Sequence, residues 1–456
     1  MKIAFVLTPY KDRAYDTISI PLGLASLNAY IARHLPQIDI DNYDLLLEPE
    51  LEEALYASLD TYEIVGIQAH SNATAHEAVR IAAACKKINP NVIVIFGGNA
   101  ATFMSNLFLQ TGFVDYIIHG EGEITITNLL LALMSNLSKD TIQTIKGLSF
   151  VHTNGNCYKT PPQPSIKNLD ELPLPDRDAF HWKKYPQWSI ITSRGCPYSC
   201  AFCSSSEFWQ HKIRYRSAKS IYSELEQLSL KYGVHNLYIL DDTFGANRVE
   251  TSTLLEKLCY TDFKLQWACL TRAELTTNKI LDLYKRSGCV QIHFGLESAS
   301  VRTQAYIRKN LDLVQLERSV KFCKEIGIRT KLSVIFGLPH ETETELYETI
   351  DFLLALQPDE VQIYPLMPYI GIDVLNDKAI SLLSEGNHEW KQDALIPLAK
   401  SNSISTQQQI AITMEAIEAF RNLGYKWIPI DANPEKQNMQ KIIKTVFAPI
   451  QGLEKE

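Results

Sequence analysis

The 456-residue chain has no apolar run of about 18 residues, so no membrane-crossing helix is expected. It also shows no secretory signal. Residues 1–9 carry one Lys and a short apolar run, with no long apolar core and no small-residue cleavage site behind it. Neither sign of charge dominates: 44 Lys and Arg stand against 52 Asp and Glu, a net charge of −8. That balance gives no electrostatic drive toward nucleic acid or anionic membrane. Cysteine is sparse. Nine residues of 456 are too few for a disulfide scaffold, and an odd number cannot all pair. There is no internal repeat and no low-complexity segment. The G-x-G-x-x-G fingerprint of a dinucleotide site is missing between the first strand and helix. A soluble, cytoplasmic protein is expected, whose thiols are free or bind metal.

What is present is globular: 46% hydrophobic and 21% charged residues, in a length that fits about three domain-sized units. Residues 1–140 alternate strand and helix signals, with strands at 2–7, 38–43, 64–69, 92–96 and 114–118. Helical spacing runs over 21–32, 51–59, 74–88 and 124–134. This rhythm predicts a doubly wound parallel sheet, which binds ligands beyond the carboxyl ends of its strands. Gly97-Gly98 and Gly120-Glu121-Gly122 fall at such ends, where backbone must turn tightly or approach a ligand. Residues 141–187 lose the rhythm and crowd Pro161, Pro162, Pro164, Pro173 and Pro175, which reads as a linker. From 188 to 375 six strands alternate with five helices. That count predicts a partial, TIM-like β/α barrel with its chemistry at the strand C-terminal ends. Residues 376–456 read as a mainly helical cap, with helices over 407–423 and 438–446.

Just after the first barrel strand stands Arg194-Gly195-Cys196-Pro197-Tyr198-Ser199-Cys200-Ala201-Phe202-Cys203. A third of all the cysteines lie within eight residues of one loop. A structural zinc site wants four protein ligands, usually from two separated pairs, and no fourth partner is near. Three thiolates on a four-iron cluster leave one iron open to chemistry.

This segment resembles the signature of the radical SAM superfamily. The resemblance implies that Cys196, Cys200 and Cys203 hold a [4Fe–4S] cluster, whose fourth iron chelates S-adenosylmethionine (SAM). It implies that Phe202 lies by the adenine and that Asp242 receives the methionine ammonium. It further places Arg272 at the SAM carboxylate, Glu297 and Ser298 near the ribose, and Gly337, in Gly337-Leu338-Pro339, by the adenine. The common form of that last motif has Gly after Pro, and here His340 stands instead. Structural readings compete at several positions: Asp242 as a helix N-cap, Arg272 as a solvated strand-end charge, Glu297 paired with Arg302, and Gly337-Leu338-Pro339 as a plain turn. Lys212, Arg214, Arg216 and Lys219 follow the loop. They face an anion or merely open a solvated helix.

A doubly wound domain before such a barrel is similar to the cobalamin-binding class of this superfamily. Pro21-Leu22-Gly23, the glycine pairs and Leu172-Pro173-Leu174-Pro175-Asp176-Arg177 carry that likeness. It implies cobalamin contacts from Ser71, Gly97, Gly98, Gly120, Glu121 and Gly122. The D-x-H-x-x-G motif that supplies an axial histidine elsewhere is absent. Asp12 and Asp16 have no His two residues on, and His70 is a lone alternative.

The resemblance implies an enzyme that cleaves SAM to a 5′-deoxyadenosyl radical. That radical takes hydrogen from an unactivated carbon, which methylcobalamin then methylates. A cobalamin-dependent cyclase or rearrangement catalyst without methyl transfer is the alternative, and a non-catalytic cobalamin or iron–sulfur sensor is a remote one. Expected partners are a small-molecule or peptide substrate and an electron donor such as flavodoxin or ferredoxin. Tyr364, Tyr369 and Trp390 are possible lining residues. No residue is assigned as a catalytic acid or base.

Overall fold

Strands with sequences such as Ile-Val-Gly-Ile-Gln and Ile-Val-Ile-Phe-Gly have no polar face, so they are stable only where helices cover both sides. The computed structural model places them so. It describes residues 1–9, 18–366, 371–376, 380–382, 399–401, 403–429 and 445–449. Two units emerge, one built mainly on Met1–Gln187 and the other mainly on Trp188–Pro368 and the residues beyond.

In the first unit, strands β1 (Lys2–Leu7), β2 (Asp39–Asp44), β3 (Ile64–Gln68), β4 (Ile93–Gly97) and β5 (Tyr116–Ile118) are parallel. Their order is β2-β1-β3-β4-β5. The chain leaves β1 toward one side and returns at β3 on the other. This is a topological switch point, and it opens a crevice at the ends of those two strands.

The stretch expected as a linker adds β6 (Leu148–Val151) and β7 (Cys157–Lys159), which extend this sheet antiparallel. Its later part is tied down as well. Tyr185 donates a short hydrogen bond to Asp44, and the His181 ring meets the Glu48 carboxylate at 2.6 Å. Arg33 Nη1 donates to the Glu171 carbonyl at 2.8 Å. Its prolines set extended backbone, but side-chain hydrogen bonds fix that backbone in place.

In the second unit, β8 (Ser189–Ile190) leads into a short ribbon of β9 (Ser193–Arg194) and β10 (Arg214–Tyr215), which brackets the three-cysteine loop. Parallel strands β11 (Asn236–Ile239), β12 (Gln266–Thr271), β13 (Cys289–Glu297), β14 (Arg329–Phe336) and β15 (Glu360–Pro365) follow. With β8 beside β11, these are the six expected strands. The intervening helices start on side-chain caps. Ser217, Asn247, Thr277, Asp312 and Thr342 each accept from the backbone N–H three residues on.

Alternation then sorts the strand residues. Trp267, Ile292, Phe294, Leu332, Val334 and Val361 join the apolar core under the helices. Tyr238, Leu270, His293, Lys331 and Tyr364, interleaved with these, take the other face.

The carboxyl-terminal region differs from the mainly helical expectation. The helix Thr406–Asn422 forms, on a Ser405–Gln408 capping box. Ile380–Leu382 (β16) and Ala399–Ser401 (β17) pair as a ribbon. Tyr425–Pro429 (β18) and Thr445–Pro449 (β19) then extend the barrel sheet antiparallel beyond β15. The helix expected over 438–446 therefore ends in a strand, and 438–444 lie outside the described residues, as do Asp12, Asp16, Tyr369 and Trp390. Thr445, Val446 and Phe447 pair with β15 there.

Candidate active site

The three-cysteine loop is built on a glycine whose place has no room for a side chain. Gly195 has φ +98°, and a Cβ there would meet the Lys212 carbonyl oxygen at 2.0 Å. The loop is anchored by Ala201 N–H to the Ile307 carbonyl at 2.9 Å and by Cys203 N–H to the Cys200 carbonyl at 3.1 Å. All nine cysteines are free thiols. Cys196 is buried, with its Sγ 3.4 Å from Thr243 Oγ1. Cys203 precedes the helix Ser204–Phe208, and the backbone N–H groups of Ser205 and Ser206 donate to its sulfur. Burial pushes the Cys200 and Cys203 thiols above their usual range, while Lys309 and Arg272 pull Cys200 back down.

Around the loop, strand ends bring together most of the expected residues. Asp242 accepts from Ser205 Oγ at 2.8 Å, and burial raises its carboxyl. It is not a helix cap: Asn247 caps the next helix. Asp241 beside it is a residue the sequence did not single out. It accepts from Thr192 N–H at 2.6 Å and Ser193 Oγ at 2.7 Å, which locks the strand entering the loop.

Arg272 is buried, not a solvated charge, but its guanidinium is already occupied. It bonds both Glu274 oxygens at 3.2 Å, donates to the Lys309 carbonyl at 2.7 Å and lies 3.9 Å from the Tyr198 ring centroid. Its Nη1 is 3.9 Å from Cys200 Sγ. It serves to hold the loop.

Glu297 pairs with buried Lys309 at 3.1 Å, and Arg302 pairs with Glu345 instead. Glu297 sits in a bulge with φ +63°, a rare conformation for a non-glycine residue. Gly295 makes room, since a Cβ there would stand 2.3 Å from the Glu297 carboxylate. Lys309 Nζ also lies 5.9 Å from the centre of the Phe202 ring. Ser298 is fully buried, spent on Thr349 and the Ser300 N–H. Gly337 has φ +84° and donates to Glu341 Oε2 at 2.9 Å, with Gln409 filling the space a side chain would need. His340, where glycine is common, holds φ +62°, so the backbone shape survives the departure.

Two of the four basic residues after the loop have structural partners. Arg216 makes a short bond to buried Glu224 and donates to the Ile191 carbonyl, and Arg214 stacks on Trp209.

In the first unit, the glycine edge is open where a ligand would need it. Gly97 and Gly120 have nothing within 4 Å of an added Cβ. Gly98 has φ +106°, and a Cβ there would stand 2.7 Å from the Ala69 carbonyl oxygen. Thr102, which the sequence did not flag, ties the two loops, donating to the Gly98 carbonyl and accepting from Gly120 N–H. Ser71 caps Asn72–Ile88 through a capping box. Glu121 accepts from Ile166 N–H at 3.0 Å, and Gly122 opens the next helix. Gln68 Oε1, beside the switch point, is closed to solvent with no partner among the described residues. His70 is exposed. A groove of about 780 Å³ lined by Met1, Glu63, Val92 and Leu137 lies at the opposite edge of this sheet, away from these glycines.

The radical SAM superfamily matches residues 190–353, and the B12 binding domain matches residues 14–130. An uncharacterized methyltransferase, PH0819 of Pyrococcus horikoshii, is 33% identical over 431 residues, which cover 92% of each chain. This chain belongs to the cobalamin-binding radical SAM family. An anaerobic magnesium-protoporphyrin IX monomethyl ester cyclase of Rubrivivax gelatinosus is 28% identical over 73% of this chain and 62% of that enzyme. The fold is shared with the radical SAM methyltransferase TsrM of Kitasatospora setae, solved with cobalamin and a [4Fe-4S] cluster. The TM-score is 0.73, at 15% identity, over 92% of this chain and 88% of that one.

The cofactors of this radical SAM enzyme are SAM, a [4Fe–4S] cluster and cobalamin, and its residues fit them. Among the described residues no three His, Cys, Asp or Glu side chains converge on one ion. A cubane asks for something else, because its ligands stand at separate corners. Three loop thiols among donors suit it. An open glycine edge at the carboxyl ends of a doubly wound sheet suits a large flat corrin. No helix among the described residues is long and apolar enough to cross a membrane.

Proposed function

We propose that this radical SAM enzyme methylates an unactivated carbon of a small molecule or peptide. The observation that carries the reading is the gathering of three loop thiols with Asp242 and the Glu297–Lys309 pair, in a chain whose other unit offers an open glycine edge. The cofactors, when bound, supply radical hydrogen abstraction and a transferable methyl group.

The chain's own residues bind and orient. Cys196, Cys200 and Cys203 hold the cluster. Asp242 receives the SAM ammonium through charge-assisted hydrogen bonds. Glu297 serves the ribose, with Ser298 shaping its turn, while Phe202 and the Gly337 turn border the adenine. Arg272 positions Cys200 and Tyr198 instead of meeting the SAM carboxylate. Ser71, Gly97, Gly98 and the Gly120-Glu121-Gly122 turn flank the corrin. An electron donor such as flavodoxin or ferredoxin, in the cytoplasm, completes the system.

The test is anaerobic reconstitution with iron, sulfide and hydroxocobalamin, then SAM carrying a trideuteromethyl group and dithionite. Cluster and corrin absorption, 5′-deoxyadenosine and label transfer from SAM to a small molecule or peptide are expected. Cys200→Ala abolishes the 5′-deoxyadenosine. A product without the label favours cyclisation, and cofactor spectra without 5′-deoxyadenosine favour a sensor.

A further inference from the structure

His293 lies in the middle of β13 on the face turned away from the helices. Its neighbours Ile292 and Phe294 are in the apolar core under those helices, so alternation directs His293 to the inner side of the curved sheet. Its cross-strand partners are Leu270 on β12 and Lys331 on β14. It precedes by two residues the Gly295 turn that holds Glu297 and Lys309.

An imidazole is an unusual choice for that place. A position between strands of a β/α barrel is ordinarily filled by Val, Ile or Leu. The His293 Nε2 is closed to solvent and has no hydrogen-bond partner among the described residues. A buried polar atom left unpaired costs about 1–3 kcal/mol, a cost that a ligand group bonded to it would remove. Burial, Lys331 and Lys309 lower its pKa to about 3, so the ring is neutral. Lys309, which acts on His293, acts on Cys200 as well.

We propose that His293 is a substrate-positioning residue: its Nε2 hydrogen-bonds an oxygen-bearing group of the substrate, inside the barrel and beneath the SAM site. The substrate class that fits carries a hydroxyl, carbonyl or carboxylate oxygen near the carbon to be methylated, with Lys331 adding positive charge on the same face. The proposal rests on the methyl-transfer reading above. It adds that misplacing the substrate leaves SAM cleavage intact but wastes it, because no ligand of the cluster is touched.

The experiment uses the reconstituted holoenzyme with trideuteromethyl-SAM, dithionite and a deproteinised metabolite extract of the cells that carry the gene. Labelled product and 5′-deoxyadenosine are both counted by mass spectrometry. His293→Ala is expected to form 5′-deoxyadenosine while labelled product per 5′-deoxyadenosine falls about tenfold. His293→Gln, which keeps an amide in reach, is expected to recover part of the coupling. Cluster and corrin absorption equal to wild type in both variants show that the fold is kept. Wild-type coupling in His293→Ala overturns the proposal alone. Wild-type enzyme that cleaves SAM yet labels nothing overturns the methyl-transfer reading and this inference with it.

Discussion

Arg272 Nη1 lies 3.9 Å from Cys200 Sγ, and the same guanidinium lies over Tyr198, 3.9 Å from its ring centroid. One side chain from the end of β12 thus holds two residues of the three-cysteine loop. Removing it leaves the buried Lys309 carbonyl without its donor and takes away the stack. Arg272→Ala is expected to cost about 2–4 kcal/mol of stability, as two such losses together would. Arg272→Lys restores charge but not the fork or the plane. Both variants are expected to retain less iron per chain after reconstitution, measured by iron assay beside thermal unfolding. Full iron content in Arg272→Ala counts against the positioning role.

Gly195→Ala tests whether the loop path depends on its glycine. The added Cβ meets a backbone oxygen at 2.0 Å on a left-handed residue, so the loop must move. Loss of cluster absorption is expected while the first unit still binds hydroxocobalamin. A variant with normal cluster content would show that the loop adapts.

Gly97→Val tests the open edge of the first unit. Nothing stands within 4 Å of an added Cβ, so the backbone has open space on that side. A corrin lying on that edge would fill that space. Hydroxocobalamin affinity is expected to fall at least about tenfold, the equivalent of about 1.4 kcal/mol, with thermal unfolding of the apoprotein unchanged. Equal affinity would move the corrin elsewhere.

Glu341 makes stability depend on pH. Burial pushes its carboxyl up to about 8, against the pull of the Gly337 and Leu338 N–H groups it accepts. The unfolded chain ionises near about 4.3. Between those values the native state keeps a proton that the unfolded state has lost. Stability is therefore greatest below the lower value and declines as pH rises toward 8. Glu341→Gln keeps an acceptor for both N–H groups and is expected to flatten that decline, read from unfolding midpoints between pH 5 and 9. An unchanged slope would assign the dependence to another group.

Much of this enzyme was legible in its residues. Strand and helix periods predicted both parallel sheets, because burial under helices imposes continuous apolar strands and amphipathic helices. The spacing from Cys196 to Cys203 pointed to one compact metal centre, because three thiols on one loop need no long-range information, and the family resemblance made that centre a [4Fe–4S] cluster. The pairing of Thr445–Pro449 with β15, and of Tyr425–Pro429 with Thr445–Pro449, could not be read, since a sheet edge is completed by whatever strand reaches it. Nor could the partners of the charged residues. Arg272, expected at the SAM carboxylate or else as a solvated charge, is enclosed, Glu297 chose Lys309 over Arg302, and Asp241 carries the clamp beside Asp242. His293 drew no notice, because a lone histidine in an apolar strand carries no spacing signal. Sequence by itself determined which chemistry the chain is equipped for. Tertiary structure decided which charges are spent holding the loop and which polar atoms remain unpaired, because pairing depends on distance and burial across strands far apart in the chain.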